Sequence, residues 1–358
     1  MTDPSIREPD VLNEPGARER AGWAAEAAER ENAFVIASGS VQRETPIVAD
    51  VEEALEDFHV GTHVGIGQHA PKDNVEKATE AARRADADLL VSVGGGSVLD
   101  AAKFVQRELS DGFETEIPAH VAIPTTLSGS EFTILAGWTA EGSDGQPVKT
   151  GMSDPRIVPD VALLDGEACT YTPRWLWAAT GIRAVDHAVE GITSSQATEE
   201  SDERCLEAIE LFAEHLPEAV DDADDVEAHT QCLEAGRQAS AGINYAASGA
   251  GLSHKLGKAI GSTWDVPHGV TSALTLPKVL EFEAERQPER VALIEDALGV
   301  DDAADAIRQL VADVGIERKP LKEYGIEGTD VPWIVEYALG KRDDDVEQLT
   351  LELLEDVE

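Results

Sequence analysis

Five residues with reactive side chains fall into two short stretches of the chain. Arg183 and His187 lie four apart in Gly181–Glu190, a run of small and aliphatic residues without proline that predicts a helix. Their spacing puts them one turn apart on a single face. His254 and Lys258 repeat that spacing, and His268 follows in Trp264-Asp265-Val266-Pro267-His268. If the stretches meet in a cleft, they form a polar cluster of two fixed cations and three imidazoles. Such a cluster can stabilise an oxyanion or carboxylate and move a proton.

A second chemical signal lies at strand ends. Leu89-Leu90-Val91-Ser92-Val93 stops in Gly94-Gly95-Gly96-Ser97, and a helix is predicted from Val98 through Asp100 and Lys103. Glycines admit an anion close to the backbone, and a helix N-terminus offers free N–H groups. Thr125 and Thr126 close the next strand, and Ser38 and Gly39 close an earlier one. Three strand ends with small or hydroxylated residues predict a dinucleotide cradle at the carboxyl edge of a parallel sheet. No acidic residue ends the first strand, and Ser38, Ser40 and Arg43 leave NADP as open as NAD.

The elements that would position these groups are legible in outline. Apolar strands at Ala33–Ser40, His63–Gly67, Asp88–Val93 and Ala119–Ile123 alternate with helices at Val48–Phe58 and Asn74–Ala85, and the domain boundary is placed just after Val161–Asp165. That alternation predicts a parallel α/β domain over residues 1–166. Residues 1–32 read as polar, helical only at their end. From 167 to 358 the pattern is helical with no strand, and residues 341–358 form an acidic terminal helix or tail.

Of the 358 residues 28 are basic and 71 acidic, a net charge of −43 that repels nucleic acid and anionic membranes. The acid is scattered, as in a surface adapted to a salt-rich cytoplasm where screening removes self-repulsion. Cys169, Cys205 and Cys232 are too far apart for a thiolate zinc site and too few for a disulfide framework. No apolar run approaches the ~18 residues of a membrane span, so a soluble, cytoplasmic protein is expected.

Taken in order, these motifs resemble the iron-containing (group III) alcohol dehydrogenase superfamily. They are Gly94-Gly95-Gly96-Ser97-x-x-Asp100-x-x-Lys103, Pro124-Thr125-Thr126 with Gly129-Ser130-Glu131, Gly181–Glu190, and His254 with Pro267-His268-Gly269. The resemblance implies a dehydroquinate synthase-like architecture, with an α/β nucleotide-binding domain followed by an all-α catalytic domain. It also implies a homodimer, and NAD or NADP on the glycine triplet with Lys149 near it. It implies a divalent metal, iron or zinc, on an Asp and three histidines. His187, His254 and His268 match the histidines, but Arg183 stands at the Asp position and Lys258 where another His is usual. A guanidinium cannot ligate a metal. Asp186, next to His187, is expected to point to a different face.

In lacking the metal-binding Asp, the chain is similar to the maleylacetate reductase branch, which reduces a dicarboxylic oxo-acid without metal. The short turn Pro124–Ser130, His69-Ala70-Pro71 and Val148-Lys149-Thr150 lean the same way, whereas Asp100 and Pro267-His268-Gly269 resemble the alcohol dehydrogenases. The expected activity is NAD(P)-dependent hydride transfer to a carbonyl or oxo-acid. Arg183 and Lys258 would hold negative charge, and His254 or His268 would give the proton. The alternatives are a metal-dependent alcohol dehydrogenase, with sugar-phosphate dehydrogenases further off, or a cofactor-binding protein without catalysis.

Overall fold

The computed structural model describes residues 7–141, 147–246 and 251–355. The chain divides into two compact units, Met1–Thr172 with Asp224–Leu233, and Pro173–Ala223 with Glu234–Glu358.

The first unit holds eight strands: β1 (Asp10–Asn13), β2 (Ala33–Ser38), β3 (His59–Ile66), β4 (Leu89–Gly94), β5 (Ala119–Pro124), β6 (Leu135–Glu141), β7 (Pro147–Ser153) and β8 (Val161–Leu164). Six of them form one parallel sheet in the order β1-β8-β5-β4-β2-β3. Strands β2, β4, β5 and β8 are near-continuously apolar because both faces are covered. Val35, Ala37, Val91, Val93, Val121 and Leu163 point into one core, and Phe34, Ile36, Leu90 and Ala122 into the other. Helices α1 (Lys72–Arg84) and α2 (Gly96–Leu109) supply Val75, Ala78, Leu99 and Phe104 to the second core.

Two elements differ from the sequence expectation. Residues 10–13 form an edge strand beside β8 where a polar, irregular segment was expected; four half-exposed residues carry no hydrophobic alternation to signal a strand. Strands β6 and β7 pair antiparallel in a separate two-stranded sheet.

The break between units falls after Thr172, six residues beyond the expected 166. Asp165 Oδ1 accepts from the Ala168 N–H at 3.1 Å, and the Thr172 hydroxyl donates to the Thr125 carbonyl at 2.6 Å. These bonds fasten residues 166–172 to the sheet. The segment Asp224–Leu233 also joins this unit, which no local pattern announces.

Lys103 on α2 is fully buried and staples that helix to the following loop. Its ammonium donates to the carbonyls of Ser130 (2.6 Å), Thr133 (2.8 Å) and Leu135 (2.8 Å). Burial pushes its pKa down to about 8 against the pull of Asp100 and Glu131, and burial raises Glu131 to about 7. Lys103→Met strands three carbonyls and two acids together. We expect it to cost about 3 kcal/mol of unfolding free energy, read as a lower denaturant midpoint at fixed salt. An unchanged midpoint would remove the staple from the account.

The second unit is helical. Its site rests on α3 (Arg174–Ile192), α4 (Leu252–Trp264) and α5 (His268–Arg286). Leu256, Ala259, Ile260 and Leu274 anchor α4 and α5 in a core that also takes Ile334, Val335 and Leu353. Among the described residues no helix is long and apolar enough to cross a membrane. All three cysteines are buried and none is in a disulfide.

Candidate active site

Helix α3 carries the reactive face. Arg183 and His187 are half-buried on it, and Asp186 and Glu190 are buried at 0% and 4% exposure. Helix α4 brings His254, 4% exposed, against them. Its Nδ1 lies 2.8 Å from Glu190 Oε2 and 3.2 Å from Asp186 Oδ2. The His187 and His254 rings stack, with centroids 4.6 Å apart and planes 18° apart.

Glu190 also holds the backbone of α4. Its Oε2 accepts from the Gly251 N–H at 2.6 Å and its Oε1 from the His254 N–H at 3.0 Å. That approach needs glycine, since a Cβ at 251 would lie 2.5 Å from Glu190 Cδ. Asp186 Oδ2 accepts from the Ser253 hydroxyl at 2.9 Å, and Ser253 Oγ lies 2.8 Å from Thr275 Oγ1 on α5.

Of the five groups, three are basic residues (Arg183, His187 and His254) and two are acidic (Asp186 and Glu190). Burial works to lower the pKa of His254 and Arg183 repels its proton, but Asp186 and Glu190 outweigh both and raise it to about 9. Burial, His254 and Arg183 together drive His187 well below its ordinary value. The stacked pair is therefore one imidazolium and one neutral imidazole near neutral pH. Burial also lowers the Arg183 pKa, opposed by Asp186 and Glu190.

Two sequence expectations change here. Lys258, one turn beyond His254, is exposed and has no polar partner among the described residues, because α4 turns that side to solvent. Asp186 does not point away from the site; it faces His254, because α4 packs across the side of α3 that carries residues 186 and 190. The carboxylates at those positions were not among the expected members of the cluster, although their i, i+4 spacing was readable. The side chains of His268 and Lys149 lie outside the described residues.

The donor set does not match the metal site implied by the resemblance, because Arg183 offers a positive charge and no lone pair at the carboxylate position. Among the described residues the group able to ligate is Asp186, Glu190 and His254, with donor atoms within 4.8 Å of one another. Its carboxylates already serve Gly251, Ser253 and His254.

The strand ends of the first unit form a second polar locus. The chain runs from β2 to β3 on one side, then crosses back to β4 on the other, so the sheet changes winding direction between β2 and β4. In open parallel sheets that crevice is where ligands bind. Ser38 ends β2 and Gly94 ends β4, and Thr125 follows β5, its N–H donating to the Gly94 carbonyl at 3.0 Å. Gly94 has φ +148°, and Cβ atoms at Gly95 and Gly96 would crowd Thr126 and Ser128 at 3.0 and 2.8 Å.

No side chain caps α2, and the buried Thr126 hydroxyl has no hydrogen-bond partner among the described residues. Ser97 Oγ accepts from the His69 N–H at 2.9 Å. Asp100 is committed internally, accepting from the Ser130 hydroxyl at 2.5 Å and the Gly137 N–H at 2.9 Å. A cavity of about 450 Å³ opens at the opposite, amino edge of the sheet. Its arginines, Arg7, Arg30 and Arg156, are each paired with an acid, so it offers an anion no free cation.

Residues 9–166 match the family described as iron-containing alcohol dehydrogenase, and residues 177–353 match the C-terminal part of the Fe-containing alcohol dehydrogenase family. The chain belongs to the iron-containing alcohol dehydrogenase family. It is an NAD(P)-dependent oxidoreductase of that family.

Among its relatives is "Maleylacetate reductase 2" of Cupriavidus pinatubonensis, 36% identical over 245 residues, covering 68% of this chain and 64% of the relative. The chain thus spans just under two thirds of that relative. Another is "NAD-dependent methanol dehydrogenase" of Bacillus methanolicus, 32% identical, covering 81% of this chain and 77% of the relative. An alcohol dehydrogenase structure from Oenococcus oeni superposes with a TM-score of 0.88 at 26% identity, covering 99% of this chain and 100% of that one. This chain therefore carries the family fold.

Proposed function

We propose that this chain is a metal-independent NAD(P)H-linked reductase of a carboxylate-bearing oxo compound, such as maleylacetate. The observation that carries the reading is Arg183, a cation at the position implied for the metal-binding carboxylate, on the same helix as the groups that keep His254 charged. When bound, NAD(P)H supplies a hydride. Arg183 pairs with a substrate carboxylate, through its planar fork of donors. His254 gives a proton to the oxygen that takes up the displaced electron pair, leaving a neutral imidazole that solvent reprotonates. His187, kept neutral, packs against the ring that changes charge.

The dinucleotide is assigned to the β2 and β4 strand ends, with Gly94, Gly95, Gly96, Ser97, Thr125 and Thr126 around the pyrophosphate. The end of β2 has hydroxyls at Ser38 and Ser40 and no carboxylate. Arg43 lies beside it, its Nη1 2.7 Å from where a Gly39 Cβ would stand. Arg43, although 3.8 Å from Glu44, offers a 2′-phosphate a cation there, so NADPH should serve at least as well as NADH. The acidic surface suits assay in concentrated KCl.

The test is turnover by protein dialysed against chelator, with NADPH and NADH, on maleylacetate, other oxo-acids and simple aldehydes. Full oxo-acid reduction without metal is expected. Loss of activity on chelation, restored by zinc or iron, would overturn metal independence, and alcohol oxidation alone would overturn the substrate class.

A further inference from the structure

We propose that Asp186 and Glu190 are positioning residues for His254, paired carboxylates that grip one side of its ring and leave Nε2 as the atom that meets substrate. The inference rests on the reductase reading for its role but on separate geometry. Both carboxylates reach the Nδ1 side, at 3.2 and 2.8 Å, and His187 covers one ring face. Both ring nitrogens are buried and neither makes a hydrogen bond of good geometry among the described residues, but the ion pairs to the two carboxylates are made at Nδ1.

The grip extends to the chain that carries the ring. Glu190 takes the N–H groups of Gly251 and His254, and Asp186 takes the hydroxyl of the neighbouring Ser253. One helix thus sets both the backbone and the ring of the residue on the other. A buried carboxylate on one imidazole nitrogen, with the second nitrogen left for the reaction, is the arrangement that orients histidine in nucleophilic triads. Here the oriented nitrogen serves proton delivery. The charges around the ring are Arg183, Asp186, Glu190 and His187, so the two carboxylates are its only anionic neighbours among the described residues.

The test uses D186N and E190Q in the full chain, both near-isosteric and both able to keep one hydrogen-bond acceptor. For D186N, kcat is expected to fall about 10²-fold, with KM for the oxo-acid and NADPH affinity within about threefold. In its crystal structure the His254 ring should turn away from the wild-type orientation. E190Q should show the same split. A kcat within about twofold of wild type in both variants, at unchanged thermal midpoint, would overturn the proposal. If wild type turns over no oxo-acid, the reductase reading falls by itself. The ring orientation then decides: a displaced ring supports positioning, and an unmoved ring in both variants overturns it.

Discussion

Replacing His254 with glutamine is expected to lower kcat about 10³-fold, with NADPH affinity within about twofold of wild type. The residue is an imidazole set against two buried carboxylates. Asp186 and Glu190 sit on its Nδ1 side, and they outweigh burial and Arg183 to raise its pKa to about 9. His187, lowered by burial and by its two cationic neighbours, cannot take over as the acid near neutral pH.

The sign of the pH dependence follows. Reduction needs the imidazolium, so its rate should be level below about pH 9 and fall as the ring loses its proton above that. Oxidation in the reverse direction needs the neutral ring, and its rate should rise through the same range. A reduction profile falling already through pH 6.5 would mean that the carboxylates do not hold the ring charged. Full activity in His254→Gln would move the acid to another residue.

The second large effect is expected at Arg183. Arg183→Ala should reduce kcat/KM for a dicarboxylic oxo-acid about 10²-fold, roughly 3 kcal/mol, while turnover of a neutral aldehyde changes little. A charge-assisted, bidentate pair accounts for that size at a half-buried arginine. Arg183→Lys should recover part of the loss, since lysine keeps the charge but not the bidentate fork. Arg183→Asp restores a ligating carboxylate beside His187 and His254 and removes the charge that repels a cation. That variant should purify with bound divalent metal and lose it to chelator. Equal loss on acid and neutral substrates in Arg183→Ala would assign the residue to the shape of α3 and not to substrate recognition.

The comparison between sequence and structure turns on distance along the chain. Strands β2, β4 and β5 were readable because each is buried on both faces and so almost wholly apolar. The glycine-terminated β4 was readable because close backbone approach admits few other residues. Arg183 and His187 share a helix, and their shared face follows from the helical repeat alone. These are local rules, in which a side chain's setting is decided by neighbours within a turn or a strand.

The partners of His254 were not decided that way. Asp186 looked misdirected when judged only against His187, its neighbour in sequence. Its role depends on how α4 packs across α3, some 67 residues further on, where Gly251 lets Glu190 reach the backbone. Lys258 shares a helical face with His254 by spacing, yet tertiary packing buries one and exposes the other. Strand β1 and the segment Asp224–Leu233 likewise gain their place from contacts made far along the chain. Residue type and short spacing determined what chemistry this protein can hold; long-range packing of helices and strands decided which of those groups stand together and in which charge state.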